Sequence, residues 1–252
     1  MARLLSSTPG NRPAYQVSGI DSTRKTARLA GLLYLVGSLP APFALIYVPG
    51  KLFVKGDAAA TAERLRASDG ILRAGIAAEL VSSVIFIFVV LVLYRLFKPV
   101  AEGSALSMMV LLLMSMPLSF MSIVFEIAAS NFAGGGSLGF AKFLPAFDPA
   151  QRDALAYLFF RLNGRATMVA VLFWGLWLFP FGVCVIRSDF IPRVLGFLLW
   201  VAGCGYVARS LAELSLPQYA GIVGKVETFT DFGELPIIFW LLIWGARPQR
   251  AA

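Results

Sequence analysis

Residues 161–186 read RLNGRATMVAVLFWGLWLFPFGVCVI. Two arginines and an asparagine fall within the first five positions, and no charged residue follows from Ala166 to Ile186. A helix needs about 20 consecutive apolar residues to cross the hydrocarbon core of a bilayer. The stretch therefore reads as a membrane span with two guanidinium groups, one helical turn apart, held against its edge. The rest of the chain repeats this kind of pattern. Of 252 residues, 58% are hydrophobic and 14% are charged, and the mean hydropathy is +0.77. Soluble domains carry roughly a quarter charged residues. The composition excludes that class and points to an all-α, polytopic integral membrane protein.

Six stretches are apolar enough to span, at about residues 27–48, 71–97, 104–131, 153–186, 192–214 and 229–246. Residues 1–23 are polar and rich in Ser, Pro and Gly, and read as a disordered cytoplasmic tail. Residues 24–247 form the transmembrane domain, and residues 248–252 a short second tail. With the N-terminus inside, the inner segments hold 11 basic residues and three acids, and the opposite half holds 11 of each. Lys and Arg tie, but the inner loops are short, and short loops near span ends carry the positive-inside rule. The expectation is a cell inner-membrane protein with both termini cytoplasmic. The net charge of +8 is read as topology, not as a nucleic-acid surface.

Absences narrow the chemistry. Histidine is absent, which removes His-based zinc sites, His-ligated haem and Ser–His or Cys–His nucleophile pairs. Cys184 and Cys204 lie in apolar runs and read as free thiols. The run NFAGGGSLGFAKF (131–143) lacks the preceding strand and the Gly-Lys-Ser/Thr of a phosphate loop, so it reads as a flexible turn. No cofactor is implied. Between the first two spans, Asp57 is placed to cap a short helix with Ala58, Ala62 and Leu65 on one face. This is an amphipathic surface helix, either a connector packed over the bundle or a lid. Asp148 and Pro149 open the fourth span as cap and first helical residue. Pro117, Pro180 and Pro236 mark kinks, and Gly196, Gly203 and Gly205 suit close helix contact.

Charges inside spans cost on the order of 3 kcal/mol each near a helix centre and mark functional candidates. They are Glu79, Glu126, Arg161, Arg165, Arg209, Glu213 and Glu234. In the six-span topology all fall in the outer half. Arg161 and Arg165 share a helix face, as do Arg209 and Glu213. Ser115, Ser119, Ser122, Glu126 and Ser130 form a polar stripe along one side of the third span. The arginines are expected to face carboxylates on neighbouring helices, in a set that nearly neutralises itself.

Three functions fit this constellation. The leading one is an outer-half pocket that binds or moves a small polar or anionic ligand or a lipid head group. Arg161, Arg165 and Arg209 would be anion contacts, and Glu79, Glu126, Glu213 and Glu234 would orient them or take up protons. The second is a non-catalytic membrane adaptor whose ion pairs fix helix register. The third is a cofactor-free membrane enzyme using Glu79 near Ser82 and Ser83, although no nucleophile with an orienting partner is readable. The lipid bilayer is the one partner implied; oligomeric state is open.

The stretches ARLAGLLYLV (27–36), PFALIYVPGKLFVKGDAAATA (42–62), LVLYRLFKPV (91–100), FWGLWLFPFGVCVIRSDFIPRVLGFLL (173–199) and GELPIIFWLLIWG (233–245) carry a resemblance. Together they resemble a bacterial integral membrane family classed as domain of unknown function 4386, over residues 24–246. The resemblance implies a compact multi-span bundle and implies no activity. In that family a histidine often precedes the glycine of the fourth span. Here Asn163 precedes Gly164, so proton chemistry at that position would not proceed in the same way. Asn163 joins the candidate ligand-binding residues on this ground.

Overall fold

The computed structural model describes residues 14–134 and 144–246. Its helices are α1 (Ala14–Ser38), α2 (Val48–Leu52), α3 (Ala58–Ala67), α4 (Asp69–Ala133), α5 (Pro149–Leu176), α6 (Leu178–Arg187), α7 (Arg193–Ser215), α8 (Ala220–Thr230) and α9 (Leu235–Ile243). A π-helical turn covers Pro42–Tyr47, and 3-10 turns cover Leu144–Ala146 and Asp231–Glu234. No strand occurs among the described residues. Residues 1–13 of the expected tail, most of the glycine run (135–143) and the final tail lie outside the described residues. From Ala14, within the stretch expected as a tail, the chain is helical.

Among the described residues, four helical segments are long and apolar enough to cross a membrane: Thr23–Leu52, Asp69–Ala133, Pro149–Arg187 and Arg193–Ser215. The 65 residues of α4 would extend about 98 Å if straight, roughly three times a bilayer core. They are not straight. Ala101 leaves helical geometry (φ −156°, ψ 76°), between Pro99, which lacks an N–H, and the weak helix former Gly103. The two arms fold back on each other. Ser122 Oγ donates to Glu79 Oε1 at 2.9 Å and Ser130 Oγ to Asp69 Oδ1 at 3.4 Å, and both pairs are centred on the break. The apolar stretches expected at 71–97 and 104–131 fall on these two arms. The sixth expected span (229–246) is not one span-length helix. Its apolar helix covers only Phe232–Ile243, and a 3-10 turn just before Pro236 separates α8 from α9.

Proline also explains the break between α5 and α6. Pro180 cannot donate to the Leu176 carbonyl, and the helix loosens at Trp177. Pro42 opens the π-helical turn that extends α1. The surface helix α3 is a connector. Asp57 caps it by accepting from Ala60 N at 2.9 Å, and Thr61, Ala62 and Leu65 are buried. Arg66 ties it down, donating to Ala133 O at 3.1 Å and to Asp153 Oδ1 at 2.9 Å. The α5 cap expected at Asp148 is a reciprocal capping box with Gln151.

Helix α1 packs against α4 and α9, α4 against α5 and α6, and α7 against α5, α6 and α8. Arg28 donates to Ile243 O at 2.9 Å, so the middle of α1 and the end of α9 lie side by side. Phe97 stacks on Phe190 at 6.0 Å, which places the Ala101 break and the α6–α7 link together. Small residues let α7 approach closely: a Cβ built on Gly203 would lie 2.9 Å from Gly175 O. Two apolar clusters form the interior. One, around Val48, Leu52, Leu65, Leu72 and Phe160, lies at the α3 end. The other, around Tyr34, Phe97, Trp177, Phe181 and Leu199, reaches the Ala101 end. The segments that join them carry Glu79, Ser119, Ser122, Glu126 and Asn163, a polar layer between two hydrophobic ones.

Candidate functional site

The serine stripe faces inward. Ser115 and Ser122 are fully buried, and Ser119, Glu126 and Ser130 are nearly so. The reason is the four-or-three spacing, which keeps these residues on the one side of the second α4 arm that meets the first arm and α5. Ser122 is the centre of the layer. Its hydroxyl lies 2.9 Å from Glu79 Oε1 and 2.7 Å from Ser119 O, and its carbonyl accepts from Asn163 Nδ2 at 3.0 Å. Three helical segments are thereby joined through one residue. Glu79 and Glu126 lie near enough to interact as like charges. Neither forms an ion pair among the described residues, and no third metal-binding side chain joins them there.

A buried carboxyl with a like-charged neighbour and no cation is a destabilising arrangement. Glu126 is 5% exposed. Glu126→Gln is therefore expected to raise the thermal unfolding midpoint in detergent, by about 1 kcal/mol in stability. A lowered midpoint would show that the carboxylate is a structural anchor instead.

The arginines stand elsewhere. Arg161 and Arg165 are exposed on one face of α5. Arg161 lies beside the Tyr157 hydroxyl, which accepts from Gly56 N at 3.0 Å. Arg165 donates to the backbone carbonyl of Glu213. Arg209 pairs with Glu213 on its own helix, Nε to Oε1 at 3.4 Å. Arg161 and Arg165 form no ion pair with a carboxylate of a neighbouring helix among the described residues. A long guanidinium on an outward-turned helix face reaches water more readily than it reaches across a packed interface.

Glu234 makes a third group. It accepts a hydrogen bond from the hydroxyl of Tyr34, which is 1% exposed and packs against Phe86 and Trp177. Phe86 is seven residues beyond Glu79 on α4, so this group lies about 10 Å deeper. The seven charges and Asn163 thus resolve into a carboxyl layer, an arginine rim and a deeper Glu234–Tyr34 pair. Tyr34 was not among the sequence candidates. The available signal was a lone tyrosine in an apolar run, because a buried phenol usually finds a partner.

Residues 29–245 match the family described as Domain of unknown function (DUF4386). The chain belongs to this family. An "Uncharacterized protein" of Archaeoglobus fulgidus is 33% identical over 76 residues, covering 30% of this DUF4386 chain and 44% of the relative. The aligned region thus spans less than half of that archaeal relative's length. No solved structure matches.

Proposed function

We propose that this membrane protein binds, and hands across its bundle, a small anionic group such as a lipid head group or organic acid. The site is the arginine rim at the α3 end. One observation carries the reading: Arg161 and Arg165 stand exposed one turn apart on α5, and neither forms an ion pair among the described residues. Of the carboxyls expected to neutralise the rim, Glu79 and Glu126 lie apart in the buried layer. Exposed guanidiniums one turn apart are suited to carboxylate or phosphate oxygens.

Six crossings fit this reading. Helix α1 enters and α9 leaves the bundle at the Ala101 end, which calls for an even number of crossings between them. Helix α1, the two α4 arms, α5–α6, α7 and α8–α9 supply them. At the Ala101 end the described basic residues Arg24, Lys25, Arg28, Arg95, Lys98, Arg187 and Arg193 outnumber Glu102 and Asp189. The positive-inside rule then puts that end and both termini in the cytoplasm, and the rim outside.

The test is thermal stabilisation of detergent-purified protein by dihexanoyl phosphatidate and by citrate. At least one probe should raise the wild-type midpoint. Arg161→Gln/Arg165→Gln should weaken that probe at least tenfold, since each charged hydrogen bond contributes roughly 1.5–3 kcal/mol. Without probe, Arg165→Gln alone should cost only about 1 kcal/mol, because its acceptor is an exposed backbone carbonyl. No shift in wild type, or an equal shift in the double variant, defeats the reading.

A further inference from the structure

At the Ala101 end a lateral groove of about 600 Å³ opens between the second α4 arm, α6 and α7. Ser104 and Ser107 line it from α4, Phe179 and Val183 from α6, Trp200 and Cys204 from α7. Its few polar groups are largely satisfied within the protein. Ser107 Oγ donates to Gly103 O at 2.9 Å and Trp200 Nε1 to Phe179 O at 2.9 Å. The walls therefore ask for an apolar occupant.

The mouth asks for charge. On α6 the wall residues Phe179 and Val183 are followed on the same face, one turn on, by Arg187. On α7, Cys204 and Trp200 continue through Phe197 to Arg193 on one face. Both arginines are exposed, and neither forms an ion pair among the described residues. The eleven helical steps from Arg193 to Cys204 rise about 17 Å, close to half of a roughly 30 Å hydrocarbon core. The groove with the helix faces that continue from it to Arg187 and Arg193 is about one leaflet deep, its walls mainly apolar and the two arginines at its end.

We infer that this groove is a docking site for an anionic glycerophospholipid of the leaflet at the Ala101 end. One acyl chain lies along Val183, Trp200 and Cys204, and the head-group phosphate meets Arg187 and Arg193. This site is separate from the arginine rim at the opposite end, and neither depends on the other.

The probe is phosphatidylglycerol with brominated acyl chains in phosphatidylcholine bilayers, compared with brominated phosphatidylcholine. The readout is quenching of Trp200, taken as the difference between wild type and Trp200→Phe. Two arginines near an anionic head group should give a preference on the order of tenfold for phosphatidylglycerol. Arg187→Gln/Arg193→Gln should bring the two lipids together, and Val183→Phe, which fills the groove without touching the charges, should reduce quenching by both. Native mass spectrometry supplies a readout independent of Trp200: phosphatidylglycerol retained by wild type and lost from the arginine variant. Equal quenching by both lipids in wild type, with no selective retention, overturns the site. So does absent quenching with Cys204–Cys204 crosslinking, which would show a second copy of the chain in the groove.

Discussion

Gly182→Val is expected to abolish the folded bundle. Gly182 on α6 faces Gly196 on α7, and a Cβ at position 182 would lie 2.8 Å from Gly196 O and 2.5 Å from Trp200 Nε1. The indole is held by its bond to Phe179 O, and the carbonyl can retreat only if the helices separate. Gly196 meets the same limit from the other side, with its Cβ position 2.7 Å from Gly182 O. In a bilayer the lipid tails are as apolar as the helix surfaces, so association depends on close packing. Overpacking costs roughly 1–3 kcal/mol where side chains can give way, and more where backbone must move. The expected result is a loss above about 3 kcal/mol, seen as a lost monodisperse peak on size exclusion and a collapsed midpoint. Gly164→Ala is the matched control. Nothing lies within 4 Å of its Cβ position, so it should gain about 1 kcal/mol from helix propensity. An unchanged midpoint in Gly182→Val would show that α6 and α7 do not pack through their glycines.

Tyr34→Ala should be nearly as damaging. The ring is edge-on to Phe86 at 5.4 Å and tilted against Trp177 at 5.9 Å, in the larger apolar cluster. Removing a buried aromatic costs roughly 3–5 kcal/mol. Tyr34→Phe separates the two contributions. It keeps both ring contacts and deletes the donor to Glu234, at about 1–3 kcal/mol. A double-mutant cycle of Tyr34→Phe with Glu234→Gln should give a coupling energy of about 1 kcal/mol or more. Zero coupling would mean that the hydroxyl does not hold the 3-10 turn against α1.

Much of the fold was legible because it is written in local periodicity. The uncharged runs gave the long helices, and Asp57 and Asp148 marked their caps. The spacing of Ser115, Ser119, Ser122, Glu126 and Ser130 indicated a face that the structure buries. Gly196 and Gly203 announced a close helix contact. The break of the last apolar stretch was signalled only by Pro236, since composition reads the same for a broken helix as for a continuous one.

The identity of each charge's partner was a different matter. A helical repeat states which side of a helix is polar, but not which distant helix that side meets. Ser122 meets Asn163 across 41 positions and Tyr34 meets Glu234 across 200; glycine-lined interfaces and proline breaks set those meetings. The arginines were expected to neutralise the carboxylates because opposite charges attract. Tertiary packing instead left Arg161 and Arg165 exposed on α5 and drew Glu79 and Glu126 in among serines and asparagine. Residue type and spacing were enough for a membrane bundle with an inward polar face, while the rotation and depth of each helix decided which polar groups share it.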